Sequence, residues 1–274
     1  MTAGIGWPGG RKVAALISVA VELWSPGHSP AYAPMAAAWP LPGVEDTHSA
    51  SWVDYGVTTG IPRLLGILGD LPATFGVNGL VAERHPGTVA AVHEAGHEIA
   101  AHGWAQERVP ALLDADAERD DIRRCTEILS RVTGVRPAGW MSPRATASRN
   151  TAGLLAEAGY RWTGDHSDHD LPQVLPTAHG PLVSLMHGGQ SDVRGAAAGP
   201  HAYRDLHREL LDQLLAAPGP GVFHLTLHAH VGGRPPLAGM VARILDHVRA
   251  SGDVWVATHA QAAEHVFACQ ERKS

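Results

Sequence analysis

A parallel α/β fold, closed into a barrel or wound as an open sheet, is the architecture this sequence predicts. Short apolar runs alternate with amphipathic stretches to give about seven or eight strand–helix units, the pattern of a parallel sheet covered by helices. Polar residues recur directly after these runs, where parallel α/β folds gather their active sites. The length, 274 residues, suits one barrel of roughly 250 residues, and no internal repeat or composition shift divides it, so residues 1–274 are read as a single domain.

The elements follow in order. Lys12 to Val21 reads as a buried strand. Arg11-Lys12 ahead of this run loosely imitates a signal peptide, but no Ala-x-Ala site follows and Glu22 interrupts the run. Residues 22–50 form a long loop with prolines at 26, 30, 34, 40 and 42, a length usually tied to function. Ile61 to Leu68 is a helix, Ala73 to Val77 a strand, Pro86 to Ala95 a helix and Glu98 to Ala101 a strand. Asp114 to Thr133 is the longest amphipathic helix, with Gly134 as its C-cap. Gly139 to Ser142 is a strand, Thr151 to Ala158 a helix, and Arg161 to Thr163 and Leu182 to Met186 are strands. Residues 187–200, rich in Gly, Ala and polar groups, read as a loop. Tyr203 to Ala216 is a helix, Gly221 to Leu227 a strand, Leu237 to Ala250 a helix, Asp253 to Ala257 a strand and Ala260 to Phe267 a helix.

Composition excludes several classes. Hydrophobic residues at 45 % and charged residues at 18 % rule out a disordered chain. A net charge of −6 leaves no basic footprint for nucleic acid. No apolar run reaches the ~18 residues of a membrane span, so a cytoplasmic location is expected. Cys125 and Cys269 cannot build a Cys-rich zinc site or a disulfide framework. The excess is in histidine, with 18 residues, any of which can titrate near neutral pH or ligate a metal. Position must therefore select among them.

The strand ends carry Glu22, Asn78, His102, Ser142, Arg144, Asp165, Asp168, His228, His230 and His259. His102 ends its strand, and Gln106 shares its face if a helical turn follows. His228 and His230 fall on one face if their strand continues; a functional pair, and one inward His with a supporting neighbour, both remain open. The Asp165–Asp170 segment reads equally as a carboxylate-bearing site loop or as an ordinary polar loop. Trp24, Trp39, Trp52, Trp104 and Trp140 lie near these positions and suggest a closed, partly apolar pocket for a small-molecule substrate.

Gly96 to Trp104, Gly139-Trp140-Met141-Ser142-Pro143-Arg144, Leu225 to His228 with Gly233-Arg234-Pro235, Trp52 to Gly56 with Gly60 to Arg63, and Val254 to Thr258 occur in the order of a known family. The chain resembles the polysaccharide deacetylase (NodB-homology) superfamily from about residue 12 to 267. It looks most like the branch of allantoinase-like enzymes, cyclic imidases and a peptidoglycan-deacetylase homologue. The resemblance implies a distorted (β/α)7 barrel that hydrolyses non-peptide C–N bonds, and an assembly of identical subunits, dimer or tetramer. Its catalytic pattern puts the usual Asp base position at Ala20, which has no carboxylate, and implies a metal ligand at Glu22, a ligand pair at His102 and Gln106, and a leaving-group acid at His228. Arg144 follows Pro143 instead of preceding it.

These departures bear on the chemistry. A divalent metal such as zinc wants at least three good N/O ligands, and a neutral Gln is a poor third, so metal on Glu22, His102 and Gln106 and catalysis without metal both stay open. Without metal, Glu22 would be the base, its pKa raised by burial, with His228 the acid and Arg144, or a strand-end backbone N–H, the oxyanion donor. Trp24, Trp104, Gln106, Trp140, Ser142, Asp168, His230 and Arg234 are the expected substrate contacts. The leading expectation is hydrolysis of a small amide, including a cyclic amide, imide or ureide. The alternatives are a metal-dependent N-deacetylase of amino sugars and a catalytically inactive or repurposed barrel that binds a small ligand.

Overall fold

The computed structural model describes residues 5–41, 44, 46–186 and 189–272; Pro42 of the proline-rich loop and residues 187–188 of the expected 187–200 loop lie outside them. The strands are β1 (Val13–Val21), β2 (Thr74–Val77), β3 (Glu98–Ala101), β4 (Gly139–Trp140), β5 (Trp162–Thr163), β6 (Gln173–Leu175), β7 (Leu182–Ser184), β8 (Gly221–His228) and β9 (Val254–Ala257). They form one sheet in the order β6-β7-β5-β4-β3-β2-β1-β8, with β9 also on β1. All pairings are parallel except β6 with β7. The parallel strands β1–β5, β7 and β8 supply the expected barrel set. Among the described residues the end strands β6 and β8 do not pair, so the sheet is a curled half-barrel.

β1 is the centre of this sheet. Each of its nine residues is buried, as expected for a strand covered on both faces. β8 runs along one side of it, from Val13 against Gly221 to Ala20 against His228. The other side is divided: β9 pairs with Val13 to Leu16, and β2 with Ser18 to Val21. β1 therefore has neighbours on both edges along nearly its whole length. Its last residue delivers Glu22 to the C-terminal rim.

The helices follow from capping and amphipathicity. Ala115–Thr133 starts behind Asp114, whose carboxylate accepts from Ala117 N, and stops at Gly134 in the left-handed region (φ 75°). Its buried face includes Ile122, Cys125 and Leu129.

Two expectations are corrected, and two short elements were not foreseen. The proline-rich segment is not structureless: Pro34–Ala38 is a short helix, and Thr47–Tyr55 is a helix capped by Asp46. Residues 187–200 are not all loop, since Asp192–Ala198 is helical, as an Ala-rich run behind Ser191 permits. The helix Gly79–Arg84 and the antiparallel strand β6 were too short to show a period.

One backbone approach is tight enough to predict a mutant. Gly139 pairs with Trp162, and a β-carbon at Gly139 would fall on the fully buried Trp162 indole. Gly139→Ala is expected to cost about 1–3 kcal/mol of stability by overpacking, measured as a lowered Tm.

Candidate active site

The rim of the sheet brings Glu22, His102, Gln106, His228 and His230 into one buried cluster. Glu22 is only 3 % exposed. Its Oε1 accepts from Gln106 Nε2 at 2.7 Å and faces His102 Nε2 at 3.3 Å and His228 Nε2 at 3.8 Å. Its Oε2 lies 3.4 Å from the Tyr32 hydroxyl and 4.0 Å from His230 Nε2. Asn78, at the end of β2, ties the cluster together. Its amide donates to the His102 carbonyl, and its Oδ1 accepts from Leu23 N at 3.0 Å.

His102 and His228 are each oriented through the other ring nitrogen. His102 Nδ1 donates to the Met141 carbonyl at 2.7 Å, which turns Nε2 toward Glu22. His228 Nδ1 donates to Asp192 Oδ1 at 2.7 Å, while Asp192 Oδ2 accepts from the His228 backbone N–H at 2.8 Å. Asp192 is fully buried. His230 is buried among Tyr32, Trp24 and Trp52, stacked on the first and edge-on to the other two. Its Nδ1 has no hydrogen-bond partner among the described residues.

The charges divide sharply. Burial alone would lower the His228 pKa, but Glu22 and Asp192 outweigh it and raise it to about 9. Burial lowers His230 to about 4, so its ring is neutral at pH 7. Burial would raise Glu22, yet the His228 charge, the His102 hydrogen bond and the His230 charge bring it down to about 2. The expectation of a carboxyl raised by burial is thus reversed, because three histidines surround it.

The expected site residues separate into two groups. Glu22, His102, Gln106, His228 and His230 meet, with Trp24 at their edge. Arg144 does not join them: it is exposed, with a left-handed backbone (φ 60°), and none of its described contacts reaches Glu22. Asp168 has a side chain 72 % exposed and pairs with His169. Trp104 packs on Gly79 and under the Arg124 guanidinium, 4.0 Å away, as a core contact. Trp140 is buried, donates to Ser142 Oγ at 3.0 Å and meets Tyr160 edge-on. Ser142 is in turn held by Asp165, through its N at 2.7 Å and its Oγ at 2.8 Å. Arg234 supports the wall: it donates to the His230 and Trp52 carbonyls, both at 2.9 Å, and covers the Tyr55 ring. Two participants were missed, Asp192 and Tyr32. Both lie in segments read as loops, and their partners are 36 and 198 residues away.

The metal implied by the resemblance does not fit this donor set. Gln106 turns its amide nitrogen, which has no available lone pair, into the Glu22 carboxylate. Among the described residues no group of three or more His, Cys, Asp or Glu side chains is placed to hold a metal ion.

A cleft of about 610 Å³ opens beside the cluster, lined by Trp24, Pro26, Leu41, Val53, Asp54 and Arg84 among others. Trp24 is its wall toward the cluster; Glu22, His102 and His228 do not line it. At the cluster itself, His228 is partly open, with its side chain 15 % exposed.

Comparison with known proteins agrees with this architecture. Residues 44–163 match the family model for polysaccharide deacetylases. The chain is 26 % identical over 238 residues to the peptidoglycan deacetylase of Helicobacter pylori, covering 72 % of this chain and 80 % of the relative. The structure of Puue allantoinase superposes with a TM-score of 0.89 at 26 % identity, over 97 % of this chain and 95 % of that one. A structure from Mycobacterium smegmatis assigned to the polysaccharide deacetylases superposes with a TM-score of 0.82 at 32 % identity, over 98 % and 95 %. With the half-barrel shared along its whole length, the chain belongs to the polysaccharide deacetylase family and is a hydrolase of carbon–nitrogen bonds other than peptide bonds.

Proposed function

We propose that the chain hydrolyses the C–N bond of a small amide, with Glu22 as the base for water and His228 as the acid for the leaving nitrogen. One observation carries this reading: an anionic Glu22 lies 3.8 Å from a His228 that Asp192 keeps protonated. Both groups therefore hold the protonation state their roles need at neutral pH. Water adds to the carbonyl carbon and yields a proton to Glu22, while the carbonyl π pair moves onto oxygen. His228 passes its proton to nitrogen as Glu22 takes the water proton, and the tetrahedral intermediate then collapses with cleavage of the C–N bond. Transfer of the proton from Glu22 to His228 then restores the starting ion pair.

A pKa of about 2 makes Glu22 a weak base in the resting site. That weakness belongs to the resting state, because the main force lowering it is the His228 charge. As His228 gives its proton to nitrogen, that charge disappears and the carboxylate becomes a stronger acceptor. The two proton transfers are thus coupled, and each favours the other.

The surroundings favour a small, compact substrate. Trp24, Trp52 and Tyr32 enclose His230, and Glu22 is nearly inaccessible in the closed site. A cyclic amide, imide or ureide presents one planar carbonyl–nitrogen unit to such walls. The test is a panel of hydantoins, succinimides, dihydropyrimidines and N-acetylated amino sugars, read by product mass. Ring opening with gain of one water, undiminished after dialysis against chelator, is the expected result. Activity confined to N-acetyl sugars and abolished by chelator would replace this reading with a metal-dependent deacetylase.

A further inference from the structure

We propose that Tyr32 is a further catalytic residue, whose hydroxyl moves from Glu22 Oε2 to the substrate's carbonyl oxygen and supports the negative charge that develops there. The inference rests on the hydrolytic reading above and starts from a gap in it. A tetrahedral intermediate needs a hydrogen-bond donor for its oxyanion, and Arg144, the side-chain donor expected from sequence, is exposed with no described contact to Glu22 or His228.

The two oxygens of Glu22 are not equivalent. Oε1 is occupied by Gln106 Nε2 at 2.7 Å, faces His102 Nε2 at 3.3 Å and has His228 Nε2 beyond at 3.8 Å. Oε2 has one hydrogen-bond partner among the described residues, Tyr32, at a long 3.4 Å. Water that yields its proton to Glu22 therefore docks at Oε2, and the Tyr32 hydroxyl must release that oxygen first. The hydroxyl group that leaves is an O–H donor a short distance from the reacting carbonyl.

The neighbours fix which way this donor points. A carboxylate only accepts, so the Tyr32 proton is directed at Glu22. His230 Nε2, 3.1 Å from the same hydroxyl, must then carry its own proton and donate to the Tyr32 oxygen. A neutral His230 with that proton on Nε2 leaves Nδ1 bare, in keeping with its lack of a partner. His230 thus orients the hydroxyl from behind, and ring stacking at an interplanar angle of 14° holds the pair together. Tyr32 is also 40 % exposed, on the segment between β1 and the helix Pro34–Ala38, while the Glu22 it touches is buried.

The experiment compares wild type, Tyr32→Phe and Glu22→Gln on whichever amide of the panel the wild type opens. Tyr32→Phe keeps the stacked ring and removes only the hydroxyl. It is expected to lower kcat by about 100-fold while KM changes less than about threefold, as for loss of one oxyanion donor. The alkaline limb of the pH profile should stay near pH 9, because His228 and Asp192 are untouched. A Tyr32→Phe enzyme with wild-type kcat, beside an inactive Glu22→Gln, overturns this inference and leaves the hydrolytic reading standing. Full activity in both variants, or no turnover of any amide by the wild type, overturns both.

Discussion

Glu22→Gln is expected to lower kcat by about 10³-fold, within the range that loss of a general base produces. The amide is nearly isosteric, so the Gln106 and His102 neighbours keep their places and the fold should persist by circular dichroism. What disappears is the acceptor for the water proton. A second effect follows from the charge. Glu22 is the larger electrostatic cause raising His228, so its removal should also move the alkaline limb below pH 9. Steady-state rates across pH measure both. A variant keeping more than about a tenth of wild-type kcat would be incompatible with a base at this position.

Asp192→Asn is expected to lower kcat by about 10²-fold and to shift the alkaline limb from about pH 9 toward 6.5. Asp192 accepts two bonds from His228, one from the ring and one from the backbone N–H. An asparagine can accept only one of them, and its NH₂ would face the other donor. The consequence for stability has a definite sign. A His228 pKa raised from 6.5 to about 9 contributes stability that is complete below pH 6.5 and lost as pH rises through 9. The stability gap between wild type and Asp192→Asn should therefore be widest near pH 6 and narrow by pH 10. A gap unchanged over that range would show that Asp192 does not sustain the His228 charge.

The parts of the site that were legible in sequence are those set by the strands. Nine buried residues, eight of them apolar, running up to Glu22 define a buried strand and a rim carboxylate together. His102 and Gln106 follow β3 closely enough that the spacing places both beside Glu22. His228 closes β8 in the same manner. Orientation across longer loops was not legible. Arg144 and Asp168 have suitable chemistry, but residue type does not determine which way a loop turns. Trp104 and Trp140 are as aromatic as pocket residues, yet both serve the core. Asp192 was hidden because a Ser-Asp start followed by Gly and Ala residues reads as loop as readily as helix. Tyr32 was hidden by a proline-rich segment with no period, and only the tertiary structure joins it to His230.

The clasping of β1 by β8 on one edge and by β9 and β2 on the other separates two kinds of change. Glu22 inherits the immobility of the strand that carries it. Adaptation to a new substrate is then expected around the reaction centre, at Trp24 in the chain that leaves β1 and at Trp52 in the helix Thr47–Tyr55, on either side of Tyr32. Family members can thus diversify what they recognise by rewriting those positions, while the bond-breaking carboxylate stays in register. For protein engineering this places the malleable positions next to the reaction centre without placing them within its framework.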